Sequence, residues 1–250
     1  MKRRSIAVVL VLFAGAGAGC RSAAPAASPA AAPSAPPPVP SALHWVRTSA
    51  EFRAATTQAY RTASRRVEVV GASMVPGTWV VSLDSDETVL DNSQYAKERT
   101  EAHVGYTPES WREWVARRAA VPIPGSAAFL RRVKEMGGMI AIVTNRTQAE
   151  CPDTEETFRA LQLPFDVMLC RPDGAPPDKL PRYESIEKGT AKPGLRPLEI
   201  VLWVGDNILD FPLLSQKDRK SGEAAFAEFG GRFIIIPNPV YGSWEKNPAE

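Results

Sequence analysis

Histidine and cysteine are nearly missing from this 250-residue chain, which has two histidines, His44 and His103, and three cysteines. Two histidines leave little from which to build a histidine-rich zinc site or a phosphohistidine mechanism. The cysteines, Cys20, Cys151 and Cys170, lack both CxxC and metal-like spacing. An excess of one charge is lacking too: Lys and Arg total 30, Asp and Glu 28. Without Lys2, Arg3 and Arg4 the balance is 27 bases against 28 acids. Such a chain has no electrostatic footprint for a nucleic acid polymer, so an anionic ligand must be held by a local site. Long apolar runs are absent as well. The run at 5–13 is too short to span a bilayer comfortably, and no internal repeat occurs.

The N-terminus has the composition of a leader. A basic start, the apolar run and a small-residue stretch to Gly19 predict a secretory signal peptide over 1–19. Cys20 after Ala18-Gly19 resembles a lipobox, which makes Cys20 the expected acylated residue; Gly17 stands where that motif usually has an aliphatic residue. Residues 22–41 are almost entirely Ala, Pro and Ser, too poor in apolar surface to offset the entropy of ordering. Residues 20–42 therefore read as an anchor and tether, with the folded domain over 43–250. If the compartment is oxidising, Cys151 and Cys170 can pair; two buried thiols fit the sequence equally well.

Beyond the tether, the apolar pattern alternates between helix and strand. Helices are predicted at 49–65, 108–120, 126–136 and 153–161, from apolar residues at helical spacing and from breakers such as Gly137-Gly138. Strands are predicted at 78–83, 139–143, 166–169, 199–204 and 232–236, each a short, nearly continuous apolar run. Continuous runs separated by helices imply an α/β fold: a parallel sheet with helices on both faces. In such sheets, ligands sit at the carboxyl ends of the strands. Three predicted strands end in polar residues: Asp84 with Asp86, Thr144, and Asp206.

Those residues suit phosphoryl transfer, which needs a nucleophile, an acid for the leaving oxygen, and cations against the phosphate charge. In Asp84-Ser85-Asp86-Glu87-Thr88, Asp84 is the candidate nucleophile and Asp86 the candidate general acid and later base. Gly205-Asp206-Asn207-Ile208-Leu209-Asp210 supplies a second acidic pair. Two carboxylate clusters at one sheet edge repel unless a divalent cation lies between them, and oxygen donors suit Mg2+. The expected metal residues are Asp84, Asp206, the Asp86 backbone carbonyl, and Asp210 through water or as support. Thr144 and Asn145 are candidates to bind phosphate, and Lys179 to neutralise it. Taken singly, an Asp-rich solvated turn, a helix cap or a solvated lysine fits each motif too.

Together the motifs resemble the haloacid dehalogenase superfamily. The strings from Leu83 to Ser93, from Val204 to Phe211 and from Pro237 to Trp244 are similar to the bacterial class C acid phosphatases, the outer-membrane lipoprotein e family with four aspartates in two pairs. The resemblance covers the chain from about residue 49 onward. It implies a Rossmann-like core with a small, mainly helical cap, here at about 91–123, magnesium dependence, and hydrolysis of phosphomonoesters, often nucleoside 5′-monophosphates. It implies the same roles for Asp84, Asp86, Thr144, Lys179, Asp206 and Asp210, with Lys188 and Lys192 as rivals for Lys179. Of the aromatics Tyr106, Trp111, Trp114 and Tyr241, Tyr241 is the candidate to stack on a base, while Trp114 is expected to pack the cap. By the same analogy the chain is expected in the bacterial envelope, lipid-anchored in the outer membrane. A phosphotransferase using the same intermediate and a non-catalytic binding lipoprotein are the alternatives; a dehalogenase would not need Asp86.

Overall fold

The structure, a computed structural model, describes residues 38–249. The expected signal peptide, Cys20 and most of the tether lie outside the described residues.

The main sheet has five strands: β1 (Trp79–Leu83), β4 (Met139–Thr147), β5 (Val167–Arg171), β6 (Glu199–Gly205) and β7 (Phe233–Ile235). Their order is β5-β4-β1-β6-β7 and every pairing is parallel. A second pair, β2 (Leu90–Asp91) and β3 (Val121–Pro122), is antiparallel. Between its two strands lie α3 (Ser93–Glu101) and α4 (Pro108–Arg117), where the sequence places a cap.

Strand alternation divides the core into two layers. Trp79, Val81 and Leu83 of β1 and Ile140 and Ile142 of β4 face one layer, with Phe52, Tyr60, Ala63 and Val67 of α2 (Ala50–Gly71) and Phe129, Leu130 and Val133 of α5 (Ser126–Glu135). Val80, Ala141 and Val143 face the other, with Tyr183 and Ile186 of α7 (Leu180–Glu187). Both faces of the sheet are covered, which explains why its strands read as unbroken apolar runs. Gly138 is required by this packing: a Cβ there would lie 2.3 Å from the Trp79 ring. No helix among the described residues is long and apolar enough to cross a membrane.

Most other boundaries shift by one to three residues, and three differences are larger. Helix α2 continues to Gly71 because Val67 and Val70 extend the buried stripe, and its start is capped by Ser49, which accepts from the Phe52 N–H at 3.0 Å. A further helix, α1 (Ser41–Thr48), begins where the tether was expected to end, burying Leu43 and Val46. Strand β4 runs four residues past its apolar run to Thr147, because partners in the site satisfy its polar end. Helix α6 (Cys151–Ala160) comes next, and Cys151 forms a disulfide with Cys170 of β5.

Candidate active site

Strands β1 and β6 are neighbours, so the residues just beyond them meet. Asp84 leaves β1 with its N–H donating to the Val204 carbonyl at 3.0 Å. Asp206 leaves β6 after Gly205, and Asp210 closes a 3-10 turn over Ile208–Asp210. The Asn207 N–H donates to Asp210 Oδ2 at 2.9 Å. Gly205 admits that carboxylate, since a Cβ there would lie 2.3 Å from the same oxygen. One oxygen each of Asp84, Asp206 and Asp210 lies within 4.8 Å of the others.

Lys179, just before α7, reaches into this group with a side chain that is 2% exposed. Its Nζ donates to Asp84 Oδ1 at 2.5 Å and to Asp210 Oδ1 at 2.6 Å. Burial pulls its pKa down, but Asp210 and Asp84 hold it above the ordinary lysine range. Burial pushes the Asp84 carboxyl up, Lys179 opposes this, and Asp210 and Asp86 add to it, giving about 7. Asp206 is pushed well above the usual carboxylate range, first by burial and then by Asp210 and Asp84. Three carboxylates against one ammonium leave an excess negative charge that a divalent cation would cancel. The donors are all hard oxygens, so they fit such an ion. The residues available to hold it are Asp84, Asp206 and Asp210, with Thr88 Oγ1 (3.2 Å) and Asn238 Nδ2 (2.8 Å) donating to Asp206.

Asp86 was expected to reach a metal through its backbone carbonyl, and its carboxylate lies outside the three-acid group. Arg146 Nη2 donates to Asp86 Oδ1 at 2.6 Å, and Arg146 Nε lies 3.1 Å from both oxygens. Asn92 Nδ2 donates to Oδ1 at 2.9 Å. Arg146 is itself buried. Desolvation lowers its pKa, Asp86 with Glu87 and Glu150 together raise it, and the net shift is upward. Its Nη1 donates to Thr154 Oγ1 at 3.1 Å and its guanidinium lies 5.5 Å from the Trp111 ring centre. Trp114 is buried in the core, with its indole N–H donating to Asn92 Oδ1 at 2.8 Å.

Thr144 is buried at the end of the apolar part of β4 and accepts from the Arg146 N–H at 3.1 Å. Asn145 is exposed, and its Oδ1 accepts from Arg182 Nη2 at 2.6 Å. Lys188 pairs with Glu184, and Lys192 donates to the Asp166 carbonyl, so neither rival of Lys179 is in the acid group. Tyr241 is 40% exposed and sits two residues before Ser243, whose hydroxyl donates to Asn207 Oδ1 at 2.7 Å. Arg146, Asn92, Asn238 and Arg182 are not among the candidate site residues of the sequence, and Thr88 stands there only as the end of the Asp84–Thr88 string. Arg146 and Asn92 stand close to the candidate residues Thr144 and Asp86, and the signal there was a polar residue shortly beyond a buried strand.

A five-stranded parallel sheet with an aspartate directly after its central strand, acids after the next strand and a buried lysine defines the class: a phosphotransfer fold of the haloacid dehalogenase kind. The family described as HAD superfamily, subfamily IIIB (Acid phosphatase) matches residues 27–244, and the chain belongs to it. It is an enzyme of the phosphomonoester hydrolase class. Two solved structures of the class C acid phosphatase from Bacillus anthracis, one with tungstate bound, are each 31% identical to it. Each match covers 82% of this chain and 85% of that one, with a TM-score of 0.72.

Proposed function

We propose that this acid phosphatase is magnesium-dependent and hydrolyses small phosphomonoesters, nucleoside 5′-monophosphates among them, through an aspartyl-phosphate on Asp84. The observation that carries the reading is the meeting of Asp84, Lys179, Asp206 and Asp210 at one sheet edge, with Asp86 held apart on Arg146. Asp84 attacks phosphorus, the bond to the leaving oxygen breaks, and Asp86 gives that oxygen its proton. Asp86 then takes a proton from water, whose oxygen attacks phosphorus and frees Asp84 and inorganic phosphate. Lys179, Thr144 and Asn145 hold the phosphoryl oxygens. Bound Mg2+ would supply charge neutralisation between the acids and the phosphate. Because the first half needs a proton on Asp86, turnover should favour acidic pH.

The nucleotide preference is supported by Tyr241, exposed beside the Asn207 turn, where a ring can stack on a base. We also infer attachment to the bacterial envelope through acylated Cys20, in the outer membrane, from the leader and the Cys20 motif; the Cys151–Cys170 disulfide supports only the oxidising compartment that this requires. The test is Asp84→Asn, assayed on a nucleoside monophosphate with Mg2+. Because the uncatalysed reaction is very slow, loss of the nucleophile should lower turnover by ~10⁴-fold or more. Near-wild-type turnover in a folded variant would remove the mechanism.

A further inference from the structure

Arg182 takes no part in these steps, yet it is buried three residues after Lys179. Its guanidinium donates to the Thr144 carbonyl and to Asn145 Oδ1. It also reaches the Asp178 carbonyl (3.2 Å) and the Pro177 carbonyl (3.4 Å). No carboxylate among the described residues pairs with it. Burial therefore pulls its pKa down, the opposite of Arg146, which has Asp86. A buried cation with no carboxylate in contact is costly, and the carbonyl dipoles with the longer-range pull of Asp84 and Asp178 offset that cost only in part.

The oxygens it binds belong to two segments, 144–145 and 177–178, which adjoin the residues read as holding phosphate. The peptides are trans, so a carbonyl and the N–H of the next residue point in opposite directions. A donor that pins the Thr144 and Asp178 carbonyls from one side turns the Asn145 and Lys179 N–H groups to the other. The sheet does not fix this orientation, because the β4–β5 register shifts between Val143 and Thr147.

We propose that Arg182 is a positioning residue for phosphate: it locks the Thr144–Asn145 segment to the turn before Lys179, and its charge is balanced when a phosphate dianion binds. This rests on the phosphatase reading. The planar fork of arginine matters, because lysine keeps the charge but cannot hold both segments at once.

The experiment compares Arg182→Met and Arg182→Lys with the wild-type chain. It measures the orthophosphate Kd by calorimetry with Mg2+, KM and kcat on p-nitrophenyl phosphate, and Tm. Arg182→Met should weaken orthophosphate binding at least ~10-fold, equivalent to about 1.4 kcal/mol, with KM rising in parallel and kcat falling less. Arg182→Lys should lie between the two, and serves alone if Arg182→Met does not fold. An unchanged orthophosphate Kd in a folded variant, whatever its Tm, overturns the proposal. If turnover falls while that Kd stays fixed, Arg182 is misassigned and the phosphatase reading stands. If the wild type binds orthophosphate with Arg182-dependent affinity but never turns over, the phosphatase reading fails instead.

Discussion

Asp86 is held from two sides, by the Arg146 guanidinium and by the Asn92 amide, in surroundings that include Trp111 and Trp114. Three donors aimed at one carboxylate fix where its oxygens stand, and a proton donor acts only within hydrogen-bond reach of the leaving oxygen. Arg146→Lys keeps the charge and loses the fork. Its effect should therefore depend on how much the leaving group needs a proton. With a nucleoside monophosphate, whose leaving alkoxide is strongly basic, kcat should fall ~100-fold. With p-nitrophenyl phosphate, whose leaving group departs unassisted, it should fall several-fold less. Equal losses on both substrates would reduce Arg146 to a structural brace. The chemistry-bearing aspartates Asp84 and Asp206 were legible in the sequence because each stands directly after a buried strand. Arg146 and Asn92 were not, because their partner lies 60 and 6 positions away, and only the folded loop shows that they converge.

At the scale of elements, the polar end of β4 is held by the 3-10 turn and helix on its C-terminal side. The Thr147 N–H donates to Glu150 at 2.7 Å, Thr154 of α6 receives Arg146, and Cys151 ties the start of α6 to β5 across 19 positions. Closing a loop of that size restricts the unfolded chain by about 3 kcal/mol in the chain-entropy account. Replacing both cysteines by serine should lower Tm by roughly 6–12 °C in a domain of this size, and reductant should lower the wild type but not the variant. A melt unchanged by the double substitution would show that the bridge adds nothing. Apolar runs mark all five parallel strands, because a sheet covered on both faces demands them. They cannot show the last residues of β4, which are polar and whose ladder to β5 shifts. The sequence also leaves the pairing of Cys151 with Cys170 open, since it depends on β4 and β5 being neighbours.

For the whole molecule, the acid cluster sets opposing demands on folding and on metal binding. With the divalent ion chelated, folding presses Asp84, Asp206 and Asp210 together, and the Asp84 carboxyl rises from 3.8 to about 7 while Asp206 rises well above its usual range. Between those limits the folded state keeps protons that the unfolded chain has released, so stability falls as pH rises through the window. The half-buried Glu98 carboxyl, held down to about 2 mainly by its hydrogen bond from Arg117, titrates below this range and does not disturb it. In chelator, then, the protein should melt higher at pH 5.5 than at pH 7.5, by an amount on the order of a few kcal/mol in unfolding free energy. Mg2+ binds the ionised carboxylates, so it should raise Tm strongly at pH 7.5 and weakly at pH 5.5; at ~100 times its Kd the gain is about 2.7 kcal/mol. Asp206→Asn removes one charge from the cluster and should raise the chelated Tm at pH 7.5 while abolishing the Mg2+ response. A chelated protein that melts lower at pH 5.5 than at pH 7.5, or an Asp206→Asn variant still stabilised by Mg2+, would show that these three acids do not form the ion's site.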